Sequence, residues 1–136
     1  MKTVRTILLI VLLISGIAGG LLYLMHRNTD EKIARFITDA SNLIAGLQQY
    51  KEFAGSYPTG DNLQISKALL GQTEKKITIL TVRKMDLSPK GEILDPWGTP
   101  VQIYFSQNSV LIRSAGPNKI WEDSSALKSD DLFRTN

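Results

Sequence analysis

Hydrophobic residues fill the beginning of the chain without interruption by charge. The run from Ile7 to Met25 holds 19 residues and contains no Asp, Glu, Lys or Arg. A helix of that length spans roughly 28 Å, which is close to the hydrocarbon thickness of a bilayer. The pattern therefore predicts a transmembrane helix, and we expect residues 1–27 to form a membrane anchor with a short cytoplasmic tail.

A cleaved secretory signal is the alternative interpretation of the same segment. Its charged start would be Met1–Arg5, its apolar region Ile7–Ile14, and its cleavage site the small residues 18–20. However, the apolar stretch continues beyond that site to Met25, which is longer than a signal requires. The length favours an anchor.

The distribution of charge around the run indicates its orientation. Lys2 and Arg5 precede the run, whereas all 13 acidic residues follow it. Positively charged residues are retained on the cytoplasmic side of a membrane helix. We therefore expect the amino terminus to be inside and residues 28–136 to form a domain outside the cytoplasm.

Beyond Arg27 the apolar residues occupy only one face. They recur at steps of four and three, which is the spacing of an amphipathic helix; they are Ile33, Ile37, Ala40, Ile44, Leu47 and Tyr50. Residues 28–30 could cap a new helix. A single helix continuing to about Ala54 is also allowed, because no proline occurs before Pro58. Gly55 is the expected end of the helix.

The remainder of the chain alternates turn-forming residues with short apolar segments. Residues 55–62 predict a loop, Ile65–Leu70 a short helix, and Lys76–Val82 a strand. Alternation over residues 101–106, a turn, and a second apolar segment over residues 109–114 predict a β-hairpin. The whole pattern predicts an α+β fold, in which a long amino-terminal helix, first transmembrane and then amphipathic, packs on a small antiparallel sheet.

Trp97 lies in a rigid corner before the hairpin. Pro96, Gly98 and Pro100 restrict the backbone around it. A large apolar side chain at such a corner favours a structural anchor over a ligand platform.

Composition excludes several classes of function. The formal charge of +3 is concentrated before the apolar run, and no basic stripe indicates a nucleic-acid partner. Cysteine is absent, so disulfides and thiolate metal sites are excluded. The single histidine, His26, lies at the predicted membrane boundary, and neither a nucleophile elbow nor a phosphate-binding loop occurs. The sequence therefore predicts a protein that is not an enzyme.

The carboxy-terminal segment is rich in oxygen-bearing side chains. These are Asn118, Glu122, Asp123, Asp130 and Asp131. Oxygen ligands without His or Cys suit a hard cation such as calcium, although the spacing differs from that of an EF-hand loop. An acidic surface tail without a metal is the other interpretation of the same residues.

Three blocks, in order, resemble the major pseudopilins of the type II secretion system, which have a type IV pilin-like fold. They are Tyr50-Lys51 with Gly55-x-Tyr57-Pro58-Thr59, then Asp95-Pro96-Trp97-Gly98-Thr99-Pro100 with Tyr104, then Ser114-Ala115-Gly116-Pro117-Asn118 with Asp130-Asp131. The resemblance covers about residues 28 to 131. It implies a pilin-like fold, in which a long amino-terminal helix lies on a small antiparallel sheet.

The resemblance also implies a function and a location. Subunits of that family assemble into a short periplasmic filament that supports protein secretion. We accordingly expect a non-catalytic structural subunit or accessory component, single-pass in the inner (cytoplasmic) membrane with its carboxy-terminal domain in the periplasm. Its expected partners are membrane lipid, copies of itself or other pseudopilin or secretion subunits, with no nucleic acid.

A calcium site follows from the resemblance as well. The family's major subunit binds calcium in its carboxy-terminal loop. By position, the implied metal ligands in this chain are Asn118, Asp130, Asp131 and the carbonyl group of Ser114. Asn118 stands where the family commonly has aspartate, and an insert over Ile120–Ser129 lengthens the loop.

One departure from the family leaves a second function open. The precursors of that family resemble one another in a glycine followed by Phe-Thr-Leu and a glutamate, which form the prepilin peptidase motif. This sequence lacks that motif, and no glutamate occurs within residues 1–30. The alternative is a membrane-tethered extracytoplasmic binding module that uses the pilin-like fold outside any filament.

Overall fold

The computed structural model describes residues 2–123 and 129–136, with side chains described from Thr6 onward. Its elements are helix α1 (Lys2–Ala54), helix α2 (Asn62–Leu69), a 3-10 turn (Val82–Lys84), and strands β1 (Gln102–Phe105), β2 (Val110–Ser114) and β3 (Leu132–Thr135). The chain forms two compact units, Met1–Lys32 and Ile33–Asn136. The α+β class is confirmed, and in the second unit the end of α1 packs on a small antiparallel sheet as in a pilin-like layout.

Helix α1 is continuous through the polar residues that could have capped a second helix. The Thr29 hydroxyl donates to the carbonyl group of Met25 at 3.1 Å, so it does not compete as a cap. Arg27 forms an ion pair with Glu31 at 3.0 Å, one helical turn later. Such i, i+4 pairs stabilise an exposed helix. The single-helix alternative is therefore the observed one.

The large apolar side chains of the first unit are exposed in the described part of the chain. Between Ile7 and Met25 every large hydrophobic side chain is exposed, from 53% for Ile10 to 68% for Leu13. Within the described residues, α1 is the one helix long and apolar enough to cross a membrane. The expected cytoplasmic tail concerns Met1 and the side chains of residues 2–5, which lie outside the described part of the chain.

The later part of α1 supplies one wall of the core in the second unit. Five of the six predicted stripe residues are buried or packed against the core, but Ile37 is 44% exposed, so its prediction is wrong. Phe36 and Leu43 are each 2% exposed and were not predicted. The buried face of the helix is formed by positions 36, 40, 43 and 47. Ile37 lies to one side of that face, so the core does not cover it.

The end of α1 is fixed to the hairpin by the first of the three resembling blocks. Gly55 ends the helix with a positive φ of 82°, which favours glycine. The Lys51 ammonium donates to the carbonyl group of Gln107 at 2.8 Å. It also lies 4.6 Å from the ring centre of Tyr57, which stacks on Phe105. This block therefore holds the β1–β2 loop against the helix.

A capping box formed by Asp61 and Gln64 starts helix α2, and it was not predicted from the sequence. The Asp61 carboxylate accepts from the Gln64 amide at 2.9 Å, and the Gln64 side chain accepts from the Asp61 amide. Asn62 then connects α2 to the core: its side chain accepts from the Ile93 amide and donates to the carbonyl group of Val101. The predicted helix is confirmed, and it starts three residues earlier.

The predicted strand over Lys76–Val82 is wrong. The segment makes only an isolated bridge between Leu70 and Thr78 and ends in the 3-10 turn. Ile79 and Val82 enter the core with 2% and 0% exposure, whereas Leu80 is 69% exposed. Buried residues three apart cannot share one face of a strand, whose period is two. The β-branched composition was therefore overridden by packing against the helix.

The sheet is antiparallel with strand order β1-β2-β3 in the described residues. The predicted hairpin is confirmed, with Gln102 opposite Arg113 and Phe105 opposite Val110. Strand β3 was not predicted; it places Phe133 opposite Arg113. Inward residues of β2 join the core, and Arg113 lies on the opposite face. Trp97 is 9% exposed within the core, which confirms its anchoring role.

Candidate metal centre

The carboxy-terminal loop leaves β2 through a tight turn that requires glycine. Gly116 has a φ of 68°, a conformation that side chains with a Cβ rarely adopt. A Cβ at this position would also collide with the carbonyl oxygen of Asp130. Gly116 therefore lets the start of the loop touch the segment that leads into β3, and this contact brings acidic residues from both ends together.

Three carboxylates converge where the two ends of the loop meet. One oxygen each from Glu122, Asp130 and Asp131 lies within 4.8 Å of the others. The Asp130 amide donates to Glu122 Oε2 at 2.8 Å, and this hydrogen bond holds the Glu122 carboxylate beside the segment that leads into β3. The Asp131 amide donates to the Ser129 hydroxyl at 3.3 Å. The group can thus present several oxygen atoms to one small volume.

Asn118 contacts two of these carboxylates as a hydrogen-bond donor. Its backbone amide donates to Asp130 Oδ2 at 3.1 Å, and its side-chain amide donates to Glu122 Oε1 at 3.1 Å. Its side-chain oxygen accepts from the Ile120 amide at 2.7 Å. In this geometry Asn118 orders the two acids, and its own oxygen is already engaged within the loop.

Two oxygens of the cluster are buried without a partner. Among the residues that the structure describes, Asp130 Oδ1 and Asp131 Oδ1 have no hydrogen-bond partner, and the Asp131 side chain has 0% exposure. A buried carboxylate oxygen without a donor is costly, because it has lost its water and gained nothing in return. Oxygen atoms of this kind are the ligands that calcium prefers. The residues present therefore fit a hard divalent cation.

Arg113 already supplies a positive charge to the same cluster. Its Nε donates to Asp131 Oδ2 at 2.6 Å, and its terminal nitrogen contacts both Asp131 and the carbonyl group of Glu122. The hydrogen bond to Asp131 is the main cause that raises the pKa of Arg113 above its ordinary value. The rings of Trp121 and Phe133 lie 5.3 Å and 5.4 Å from the guanidinium carbon.

Ser114 belongs by its side chain to a different group of residues. Its hydroxyl donates to Asp95 Oδ2 at 2.6 Å, and it accepts from the Gly116 amide. Asp95 is 3% exposed and also accepts from the amides of Trp97 and Thr99 through Oδ1. This buried hub ties the tryptophan corner to the end of β2. It explains the second resembling block as structural.

The structure brings together three of the four predicted ligand residues. Asn118, Asp130 and Asp131 are in one cluster. The Ser114 hydroxyl donates to Asp95, and the predicted role of the Ser114 carbonyl group stays a prediction. Glu122 was noted as acidic but was not among the predicted ligands, although its position four residues after Asn118 allowed the contact. Residues 124–128 of the predicted insert lie outside the described part of the chain.

Arg113 could not have been assigned to the cluster from sequence. Its contact with Asp131 depends on the pairing of β2 with β3, and β3 was not predicted. The metal-binding role of the predicted residues stays a prediction, now with Glu122 added as a candidate.

Comparisons with models of protein families, with curated proteins and with solved structures give no match for this chain. What can be said of its function therefore rests on its own residues and their arrangement.

Proposed function

We propose that this chain is a non-catalytic, membrane-anchored subunit or accessory component of a type II secretion or pilus-like system. The supporting observation is one uninterrupted helix, α1, with two different surfaces. Its first part exposes apolar side chains all round, and its last part buries one face against a small antiparallel sheet. A pilin-like subunit needs this arrangement, because one helix then connects a lipid-facing segment to a domain in water.

The proposed location is the inner membrane, with the carboxy-terminal domain in the periplasm. A segment that exposes large apolar side chains needs a non-aqueous surrounding. The orientation is supported by charge, since no acidic residue occurs before Asp30 and two basic residues precede the apolar run. Protease added to intact spheroplasts should degrade the domain, and protection of the domain would refute this orientation.

Self-association in the membrane is the direct test of the structural role. The chain has no cysteine, so single cysteines can be introduced without background. We propose Leu13→Cys and Leu22→Cys in the apolar run, with the exposed Lys90→Cys in the domain as a comparison. Oxidation of these variants in native membranes should give self-crosslinked dimers, and an amine-reactive bifunctional linker, which joins lysines of neighbouring chains, should give ladders. Isolated monomers throughout would contradict a filament subunit.

The second candidate is a membrane-tethered binding module outside any filament. It is favoured by one observation, the lack of any carboxylate before Asp30. In a filament of the pseudopilin kind, the charged amino terminus of one subunit would lie inside the bilayer and would need a carboxylate of its neighbour as a partner. In the crosslinking experiment this candidate predicts monomers or a single heterologous adduct. The two proposals therefore give different products in one measurement.

We also propose that the carboxylate cluster binds calcium. The support is the pair of buried oxygens on Asp130 and Asp131, next to Glu122, which have no partner in the described part of the chain. A ligand that binds only the folded chain stabilises it. The melting temperature of the full-length protein in detergent should rise with calcium chloride and fall with chelator. Asp130→Asn should remove the response, and an unchanged melting temperature at millimolar calcium would refute the site.

The proposal of a non-catalytic role is supported by the chemistry of the candidate residues. His26 is 82% exposed and pairs with Asp30 one helical turn away, which is an arrangement for a helix surface. Asp131 is paired with Arg113 and holds a loop in place. A hydrolytic activity that disappears in Asp130→Asn or Asp131→Asn would overturn this part of the proposal.

A further inference from the structure

The carboxylate cluster contains its own cation, the guanidinium group of Arg113. Arg113 reaches across from β2 and makes its closest contacts with the side chain of Asp131 and the carbonyl group of Glu122. Both residues also belong to the three-carboxylate group. The guanidinium therefore lies beside the carboxylate of Asp131, one of the three residues that would take a metal ion.

The arginine satisfies only part of the negative charge that it faces. It pairs with Asp131 Oδ2, while Asp131 Oδ1 and Asp130 Oδ1 are buried and have no partner within residues 2–123 and 129–136. The Asp131 side chain has no exposed surface. The donors of a guanidinium lie in one plane and have fixed directions. In the described residues those of Arg113 are directed at Asp131 Oδ2 and at the carbonyl oxygen of Glu122, and neither Oδ1 atom receives a hydrogen bond from it. A spherical divalent ion has no such restriction.

We propose that Arg113 is a built-in competitor for the calcium site, held by Asp131 when calcium is absent and displaced from it when calcium binds. This inference rests on the proposed calcium site. In this role Arg113 sets the calcium concentration at which the contact between Arg113 and Asp131 is replaced by calcium. Neither an acidic tail without a metal nor a metal site without a competing cation would require such a residue.

Electrostatics makes the two cations mutually exclusive. Like charges a few ångströms apart repel strongly where water is scarce. An arginine side chain stays protonated in proteins, so loss of a proton cannot relieve the repulsion. The guanidinium must instead move away from Asp131. A movement of the side chain is thus the expected consequence of calcium binding.

Two aromatic rings make this movement measurable. Trp121 and Phe133 flank the guanidinium, and Trp121 comes one residue before Glu122. When a cation leaves the face of an indole ring, the electrostatic surroundings of that ring change. The other tryptophan, Trp97, is 9% exposed in the core and lies outside this group. Calcium should therefore change the emission of Trp121 specifically, and Trp121→Phe should lose the change.

The test uses full-length protein in detergent micelles, titrated with calcium chloride in a calorimeter. Arg113→Gln should bind calcium about tenfold more tightly than the wild type, because a charge-assisted hydrogen bond contributes about that factor to an equilibrium. Arg134→Gln is the matched control, since Arg134 lies on β3 and its Nε donates to the Ser41 hydroxyl. The control should leave the affinity unchanged.

A second variant guards against loss of folding. Arg113→Lys keeps the positive charge but loses the bidentate geometry, so it should bind calcium with intermediate affinity. Circular dichroism identifies any variant that fails to fold. In chelator, Arg113→Gln should melt at a lower temperature than the wild type, because it leaves the Asp131 carboxylate without a partner, and calcium should reverse the loss.

The outcomes separate this inference from the calcium proposal. Equal affinity in the wild type and in Arg113→Gln would overturn the inference and leave the calcium site standing. Binding by Arg113→Gln alone would overturn the inference, because calcium would then never displace Arg113 from Asp131 in the wild type. If folded Arg113→Gln and the wild type both fail to bind, the inference and the calcium site are refuted together.

Discussion

The two parts of helix α1 share one backbone and differ almost completely in their side-chain surroundings. In the first part Leu13 is 68% exposed, and in the second Leu47 is 0% exposed. Both are leucines in an unbroken helix, so neither propensity nor geometry explains the difference. The difference lies in which surface each segment has available for burial.

The comparison teaches that hydrophobic periodicity carries more information than hydrophobicity. From Ile7 to Met25 the apolar residues surround the helix, which favours a lipid environment. From Ile33 onward they occupy one face, and that face is covered by Ile79, Ile93 and Ile112 of the domain. The hydrophobic pattern of one helix can thus change from all-round apolar to one-sided, and each pattern favours a different environment.

The largest expected difference comes from the same truncation made in each part. Leu47→Ala should lower the free energy of unfolding of the domain by about 2–5 kcal/mol, because it opens a cavity in the core. Leu13→Ala should leave that quantity unchanged. Urea unfolding followed by the fluorescence of buried Trp97 measures both. Equal losses would contradict the distinction between the two parts.

Substitution by arginine should reverse the order of the effects. Leu13 and Phe53 are both 68% exposed, so the chain itself does not distinguish them. Leu13→Arg should make insertion of the segment into a membrane less favourable by about 3–4 kcal/mol, whereas Phe53→Arg should not change it. Insertion measured by the glycosylation of flanking acceptor sites compares the two. An effect at Phe53 as large as that at Leu13 would place the membrane boundary elsewhere.

Glycine to alanine changes give a smaller difference. A Cβ on Gly46 would lie 2.9 Å from Ile79 Cγ2 and 3.1 Å from Thr81 Oγ1. The clash should outweigh the gain in helix propensity and lower domain stability by about 1 kcal/mol. Apart from the adjacent backbone of its own helix, no described atom lies within 4 Å of a Cβ added to Gly19, so Gly19→Ala should not lower the stability. The same urea experiment measures both, and stabilisation by Gly46→Ala would show that the helix is not packed there.

The smallest expected effect concerns exposed ion pairs. Arg35 pairs with Asp86 of the domain at 2.6 Å, whereas Arg27 pairs with Glu31 one turn away on its own helix. Arg35→Gln should lower domain stability by about 0.2–1 kcal/mol, and Arg27→Gln should leave it unchanged. Added salt should reduce the loss in Arg35→Gln. A salt-independent loss would mean that Arg35 contributes through packing.

The helices and the hairpin could be predicted because their signals are local. The stripe on α1, the alternation over residues 101–106 and the turn after them are all contained in short windows of sequence. The strand predicted over Lys76–Val82 was wrong because Ile79 and Val82 pack against α1 at a helical spacing. Local β propensity cannot anticipate that a helix will cover the segment.

The candidate site could be predicted only in part for a similar reason. Asn118, Glu122, Asp130 and Asp131 stood out by composition, and the resemblance singled out Asn118, Asp130 and Asp131 as ligands. The contributions of Glu122 and Arg113 depend on the meeting of the two ends of the loop and on the pairing of β3, which are long-range contacts. The burial of Asp95 was also hidden, because a lone acid in a turn gives no sign that three hydrogen bonds will converge on it.

The most direct measurement is the accessibility of spin labels on the full-length chain reconstituted in lipid vesicles. Labels are attached at Leu13→Cys and at Phe53→Cys, which start from equal exposure. The label at position 13 should be relaxed by oxygen and protected from a water-soluble nickel chelate, and the label at position 53 should behave in the opposite way. Equal access of the chelate to both positions would contradict a membrane-embedded first half of α1.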